Sequence, residues 1–459
     1  MVRACPARAL RRSAAALLML AGCTSSRAVA SPGAAAPGRS SEGDASRLAT
    51  AADAYFAPLV ASREFAGTVL VARGDRILLE RGYGLANAEL GVPNAPETVF
   101  RVASISKTFT AAAIAILVER GAVRYGDTLS RHLPDFPAGH RITIRQLLLH
   151  SSGVPNPDYE RIATSRVSLA ELIATFKDKP LQFEPGTQGQ YSNAGYILLA
   201  AVIERASGMS YAEFLAKHIA GPLGLVATMP DVQESVIPLR ASGYVPGPPP
   251  AGVENVAWYD MSAMTGSGSL ISTARDLHRW ARAIHRETLF RRTTLPYPFG
   301  WGVRKYFGRD MIEQSGNLDG FTSYVGVYLA DSTYIVCLTN IEAGLNVRCG
   351  KDLAAMAFGE PYERVEPVMA RSDVRLTAAD AGLYSAAGTG TFHLLVDGGR
   401  SYVRWSTART AHYGRAIGRD SLAIIADRSV IALERDASGR VVAVSRSWGG
   451  SPPVRFVRQ

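Results

Sequence analysis

Apolar residues along the chain follow two periods, and the switches between them outline the architecture. Residues 67–72 (GTVLVA) and 77–80 (ILLE) are short extended runs on either side of the polar turn Arg73-Gly74-Asp75-Arg76, which predicts a β-hairpin. From Ser104 to Arg120 the pattern becomes an almost unbroken Ala, Leu and Ile run closed by Gly121, the mark of a buried helix. Residues 46–60, 142–149, 197–206 and 211–219 also read as helices. Ser192 or Asn193 is the expected cap of the third, and Ser210 with Glu213 forms a capping box for the fourth. Residues 245–252 (VPGPPPAG) form a stiff proline loop, and residues 272–277 open a capped helix. Strands are expected at 299–306, 311–314, 320–329 and 333–339, then a helix at 346–357. Strands at both ends of this region with helices between them predict one antiparallel sheet built from distant segments, flanked by helices, plus an all-helical subdomain.

Past residue 372 the character changes to short alternating runs at 393–396, 401–405, 422–425, 430–433 and 441–445, separated by Gly and Asp turns. This predicts a second, all-β module resembling a small barrel. The fold class is α+β followed by all-β.

At 459 residues and 47% hydrophobic content, the chain has material for two domains and a sizeable core. Arg3, Arg8, Arg11 and Arg12 precede an apolar run at 14–20 and then Leu20-Ala21-Gly22-Cys23. This is the layout of an export signal over 1–22, ending in what resembles a bacterial lipobox. Cys23 would then be the lipidated new N-terminus; an ordinary secretory signal is the plainer alternative. Residues 23–45, rich in Ser, Ala, Pro and Gly, read as a flexible tether. The expected location is the bacterial cell envelope, lipid-anchored and facing the periplasm or the exterior. Of the formal charge of +10, about +6 remains once those four arginines are subtracted. No basic block carries interleaved aromatics, so nucleic acid is not an expected partner. Cys337 and Cys349 are either a disulfide or buried thiols. No H-E-x-x-H or paired C-x-x-C spacing occurs, and no metal or other cofactor is expected.

The candidate chemistry starts at Ser104-Ile105-Ser106-Lys107. A serine hydroxyl is a weak nucleophile until a base takes its proton, and a lysine one helical turn on is such a base if burial lowers its pKa. Ser106 points about 100° away from Lys107 and is a decoy. The chain holds six lysines against forty-four arginines, and Lys107 alone follows a serine by three. Arginine cannot deprotonate, so a site needing an amine base keeps lysine. A polar helix start is the plain alternative. His150 is either a second base or a residue bonding its own loop. Gly208-Met209-Ser210-Tyr211-Ala212 lacks the last glycine of a nucleophile elbow and the strand before it, which excludes an α/β-hydrolase.

Four stations in order, Ser104-Ile105-Ser106-Lys107, the 142–153 stretch, Tyr191-Ser192-Asn193 and Gln314-Ser315-Gly316, resemble the serine β-lactamase and DD-peptidase superfamily. The likeness is greatest to class C β-lactamases and their esterase relatives, over roughly residues 46–360. Residues 372–459 are similar to the lipocalin-like domains appended to such proteins. The resemblance implies a serine hydrolase acting through an acyl-enzyme on amide or ester substrates: a cell-wall D-alanyl peptide, a β-lactam or a small ester. Ser104 would be acylated, Lys107 would take its proton, and Tyr191 would relay protons to the leaving group. A phenol near a buried ammonium is expected to ionise below its usual pKa. Asn193, Gln314, Ser315, Gly316 and Asn317 would bind substrate, with the N–H groups of Ser104 and Asn317 as oxyanion hole. One position departs: the family usually has Lys or His where Gln314 stands, a cation for the substrate carboxylate. The expected partners are therefore a small-molecule or peptide substrate, with peptidoglycan as its source, and a membrane reached through the lipid. The rival reading is a non-catalytic binder of cell-wall peptide on the same fold.

Overall fold

The structure, a computed structural model, describes residues 41–295, 298–368, 376–406, 408–448 and 451–459. The expected export signal, Cys23 and most of the tether lie outside them. Helix α1 (Ser41–Ala61) starts inside the stretch expected to be tether, where Asp44 pairs with Arg47 one turn on and favours the helical start. The predicted hairpin is β1 (Gly67–Arg73) and β2 (Arg76–Tyr83). Helix α2 (Ser106–Glu119) carries Lys107, and α3 (Asn193–Ser207) and α4 (Ala274–His285) follow. Four strands come next: β3 (Gly302–Tyr306), β4 (Arg309–Leu318), β5 (Phe321–Tyr328) and β6 (Thr333–Thr339). Helix α5 (Asn346–Phe358) closes the series.

The six strands form one antiparallel sheet in the order β3-β4-β5-β6-β1-β2, so the early hairpin completes a sheet begun at the far end of the region. Strand alternation then divides the core into two layers. Val69 and Val71 pack with Phe56 of α1, Tyr324 and Leu353 of α5. Leu70 and Ala72 face the other way, into a layer holding Phe109 of α2, Trp280 of α4 and Val325. Phe109 and Trp280 stack at 4.1 Å, and the Trp280 indole N–H donates to Thr108 at 2.9 Å. The helical subdomain joins this second layer through α3 and the short helices Ile144–Leu148, Leu169–Ala174 and Tyr211–Leu215. Ser192 is the cap of α3, its Oγ accepting from the Gly195 N–H at 3.2 Å, and the Ser210–Glu213 capping box is present. Cys337 and Cys349 are free thiols, both buried between the sheet and α5.

The second module is a closed eight-stranded antiparallel barrel. Its strands are β7 (Gly382–Ala386), β8 (Gly390–Asp397), β9 (Arg400–Trp405), β10 (His412–Gly418), β11 (Ser421–Ile424), β12 (Ser429–Arg435), β13 (Val441–Ser447) and β14 (Val454–Arg458). Closure comes from β7 pairing β14 at Tyr384↔Arg458 and Ser385↔Val457. Tyr384, Phe392 and Phe456 fill the interior. The barrel is tied to the first module by Glu64, whose side chain is fully buried. It accepts from Arg415 at 3.2 Å, from Arg428 at 2.9 Å and from the Val368 N–H at 2.8 Å.

Candidate active site

Ser104 lies in a 3₁₀ turn, Ala103–Ile105, two residues ahead of the start of α2 at Ser106 and not within the helix as the pattern suggested. Ala103 holds φ +46, a left-handed conformation costly for a residue with a Cβ, and this bend immediately precedes Ser104. Ser106 is buried and its Oγ accepts from the Leu270 N–H at 3.1 Å, so the decoy serine is a structural bond.

Lys107 is fully buried. Its Nζ lies 3.1 Å from Ser104 Oγ, 2.8 Å from Asn193 Oδ1 and 2.7 Å from the Ser267 carbonyl oxygen. Burial drives its pKa well below the ordinary 10.5. A neutral amine has two hydrogens and one lone pair. The two hydrogens are taken by Asn193 Oδ1 and the Ser267 carbonyl, which leaves the lone pair for the Ser104 hydroxyl.

Tyr191 Oη sits 2.6 Å from the same Ser104 oxygen. The residue is half-exposed, but its hydroxyl faces inward. Its phenol is not acidified as expected. Burial raises its pKa, and the hydrogen bond it shares with Ser104 offsets only part of that. Lys107 Nζ also lies over the Tyr191 ring, 4.7 Å from its centroid. The His150 ring packs 4.7 Å from the Tyr191 ring, and its Nδ1 accepts from the Ser192 N–H at 3.1 Å. Desolvation, with a smaller contribution from Lys107, brings His150 down to about 4, so it is neutral at pH 7. Its ring bonds not its own loop, as one reading expected, but the Ser192 N–H ahead of α3. Its bond to Ser192 leaves no support for a second base here.

Strand β4 passes beside the nucleophile so closely that Gly316 is obligatory. A Cβ there would stand 2.5 Å from Ser323 Oγ, 2.6 Å from the Val102 carbonyl oxygen and 2.8 Å from the Ser104 nitrogen. Asp319 and Gly320 make a two-residue hairpin that closes on Leu318↔Phe321. The next pair, Asn317↔Thr322, is then of the non-hydrogen-bonded kind, which turns the Asn317 N–H away from β5 and to the open edge of β4. Gln314 shares the Gly316 face and donates from Nε2 to the Ser104 carbonyl oxygen at 3.2 Å. By the same alternation Ser315 lies with Asn317 and Tyr324 on the opposite face.

Three supports were not visible in the sequence pattern. Asn346 donates from Nδ2 to the Gly316 carbonyl at 3.2 Å and to Asn317 Oδ1 at 3.0 Å, locking the strand. Asn156 Oδ1 accepts from the Asn193 and Ala194 N–H groups at 2.8 and 3.1 Å, which fixes the start of α3. The Ser267 carbonyl is the third. Asparagine beside a Pro-rich loop is the only hint the chain offered for Asn156.

The beta-lactamase family profile matches residues 52–359. The chain belongs to the beta-lactamase family. Among curated relatives, this family member is 30% identical to penicillin-binding protein 4* of Bacillus subtilis (strain 168), over 72% of this chain and 80% of that one. It is 27% identical to a D-aminopeptidase of Gluconobacter oxydans (strain 621H), over 65% of this chain and 59% of that one. Among solved structures, the octameric penicillin-binding protein homologue from Pyrococcus abyssi aligns with TM-score 0.60 and 21% identity, over 90% of this chain and all of the other. The D-amino acid amidase of Ochrobactrum anthropi SV3, solved with D-phenylalanine, aligns with TM-score 0.60 and 22% identity over 68% of this chain and 98% of the other. At these identities the structural matches establish the fold alone, which is of the beta-lactamase type.

Proposed function

We propose that this beta-lactamase-family protein is a serine hydrolase that works through an acyl-enzyme on Ser104. The reading rests on one observation: a buried amine and a protonated phenol both reach the same serine oxygen, at 3.1 and 2.6 Å. Lys107 takes the Ser104 proton as Oγ attacks the substrate carbonyl. The oxyanion lies between the N–H groups of Ser104 and Asn317. Tyr191, protonated in the resting site, hands its proton to the leaving group, and the resulting phenolate is reprotonated by the Lys107 ammonium that formed when the amine took the Ser104 proton; water then releases the acyl group. Asn193 holds the lysine by accepting one of its hydrogens.

The substrate class follows from the relatives' names and from Gln314. Penicillin-binding proteins, a D-aminopeptidase and a D-amino acid amidase favour an amide or a peptide, with peptidoglycan as a source. Gln314 is engaged with the Ser104 carbonyl and brings no cation, so a substrate carboxylate gains no charged hydrogen bond at this position. This favours amides and esters without a carboxylate there over penicillins. The same residue is what favours the second reading, a binder without turnover.

Mass spectrometry after treatment with a fluorophosphonate probe and with penicillin separates the two. The enzyme gives one adduct, on Ser104, absent in Ser104→Ala; an unmodified Ser104 leaves the binder. Envelope anchoring through Cys23 is part of the same proposal, and Cys23→Ser should move the protein from the membrane to the soluble fraction.

A further inference from the structure

A second cleft, of about 530 Å³, opens in the helical subdomain. Its walls come from segments within 166–171, 210–212, 230–234 and 260–269, together with Glu204 of α3. None of Ser104, Lys107 and Tyr191 lines it. The 260–269 segment serves both sites: its Ser267 carbonyl holds the Lys107 amine, while Thr265 and Ser269 line the second cleft.

The chain as a whole is basic, with 50 Lys and Arg against 40 Asp and Glu. This cleft reverses the balance, because five carboxylates, Glu171, Glu204, Asp231, Glu234 and Asp260, line it with one guanidinium, Arg166. Two of the five are already neutralised. Asp231 is buried between Arg101 at 2.7 Å and Arg240 at 2.7 Å, and Glu234 pairs with Arg166 at 2.8 Å. The other three each commit one oxygen to a local N–H: Glu171 to Ser168 at 2.7 Å, Glu204 to Tyr211 at 2.8 Å and Asp260 to Ser262 at 2.9 Å. Among the described residues none of the three has an ion pair, so each keeps its negative charge and a second oxygen for a ligand.

Ser269 adds an observation of another kind. It is 3% exposed, and its Oγ has no hydrogen-bond partner. The backbone around it is held, the Ser269 carbonyl by the Asp231 N–H at 2.8 Å and the Leu270 N–H by Ser106 Oγ at 3.1 Å, so the hydroxyl cannot travel to a partner elsewhere. Leu270 packs into the layer of Phe109 and Trp280, and by the alternation of an extended segment Ser269 turns the other way, into the cleft it lines. A buried hydroxyl left unmatched is costly, and such groups mark places where a ligand completes the bonding. An ammonium has three N–H donors and no acceptor, which suits carboxylate oxygens and a hydroxyl lone pair together. Val167, Pro230 and Met261 add apolar wall for a short hydrocarbon stem. The cation is organic rather than a metal ion, because no three acidic, His or Cys side chains among the described residues are grouped to coordinate one.

We propose that this cleft is a binding site for a small aliphatic amine in its ammonium form. The inference stands apart from the hydrolase reading and is tested by binding alone.

Isothermal titration calorimetry of the full chain at pH 7 with 1,5-diaminopentane tests it, with pentan-1-ol and magnesium chloride as comparators. The diamine should saturate one site per chain and bind at least about 10-fold tighter than pentan-1-ol, the worth of one charged hydrogen bond. Glu204→Gln and Asp260→Asn keep an acceptor for the Tyr211 and Ser262 N–H groups but remove the charge, and each should weaken the diamine about 10-fold. Ser269→Ala should weaken it about 3–10-fold without lowering the melting temperature, since that hydroxyl bonds nothing in the free protein; a merely structural serine would do the reverse. Melting curves report folding of the other variants. No saturable heat with the diamine, equal affinity for pentan-1-ol, or displacement of the diamine by an equal concentration of magnesium overturns the proposal. So does a diamine affinity unchanged in both Glu204→Gln and Asp260→Asn, which places the amine elsewhere.

Discussion

Gly316→Ala adds one methyl group to the tightest point of the site. Its Cβ would meet Ser323 Oγ at 2.5 Å, the Val102 carbonyl oxygen at 2.6 Å and the Ser104 nitrogen at 2.8 Å. Ordinary contact begins near ~3.5 Å, so β4 must retreat by roughly 0.7–1 Å. A side-chain rotation can relieve the Ser323 contact, but the other two atoms are backbone of the nucleophile turn. The Asn317 N–H moves with the strand, away from the position an oxyanion would occupy. Overpacking of this size costs about 1–3 kcal/mol of stability. A displacement of about 1 Å in a catalytic constellation costs on the order of 100-fold in rate, or ~3 kcal/mol of barrier. The assay is the second-order rate of fluorophosphonate labelling at Ser104, read beside a melting curve. Adding Ser323→Gly should not restore the rate, because two of the three contacts persist. Labelling within about threefold of wild type in a folded Gly316→Ala protein, or full rescue by Ser323→Gly, would refute the argument.

Lys107→Met should lower Ser104 labelling by about 10²–10⁴-fold, the usual worth of a general base, with a modest loss in melting temperature, since Asn193 Oδ1 and the Ser267 carbonyl each lose a donor. In the wild-type protein labelling should fall as the amine is protonated, with a midpoint well below pH 10.5; a midpoint at 10.5 would contradict the burial argument. Glu342 is raised to about 8, chiefly by burial and then by Asp319. Folding therefore favours its protonated form, and this contribution is complete below about pH 4.5 and lost as pH rises through about 8, at most ~5 kcal/mol in all. Glu342→Gln should flatten the decline in melting temperature across that interval, and an unaltered slope would exclude Glu342 as its source. Gln314→Lys should raise turnover of substrates carrying a carboxylate on the leaving group relative to those without one; an unchanged ratio counts against the role given to Gln314.

The Ser104–Lys107 pair was legible because both residues sit on one turn, where spacing alone sets proximity. Tyr191, 87 residues on, was legible only through a family motif, since no local pattern joins it to the serine. Its protonation state was misjudged because charge at a site depends on burial, which a motif does not carry. The bend at Ala103 was hidden for a related reason: alanine is not a residue that advertises a positive φ. Asn156, Asn346 and the Ser267 carbonyl have no periodicity, so their roles emerge only when distant backbone converges. Within the barrel, five strands stood out by alternation. The sequences GLYSA and HYGRAIG of β7 and β10 dilute theirs with glycine and small residues, and the short β14 was missed with them.

Glu64 has a consequence for anyone shortening the gene. Its carboxylate belongs to the segment just before the first strand, yet the two groups that neutralise it, Arg415 and Arg428, are encoded more than 350 codons later. A product ending at residue 368 would retain the anion and lose both cations, and would need a neutral residue at position 64 to tolerate the cut.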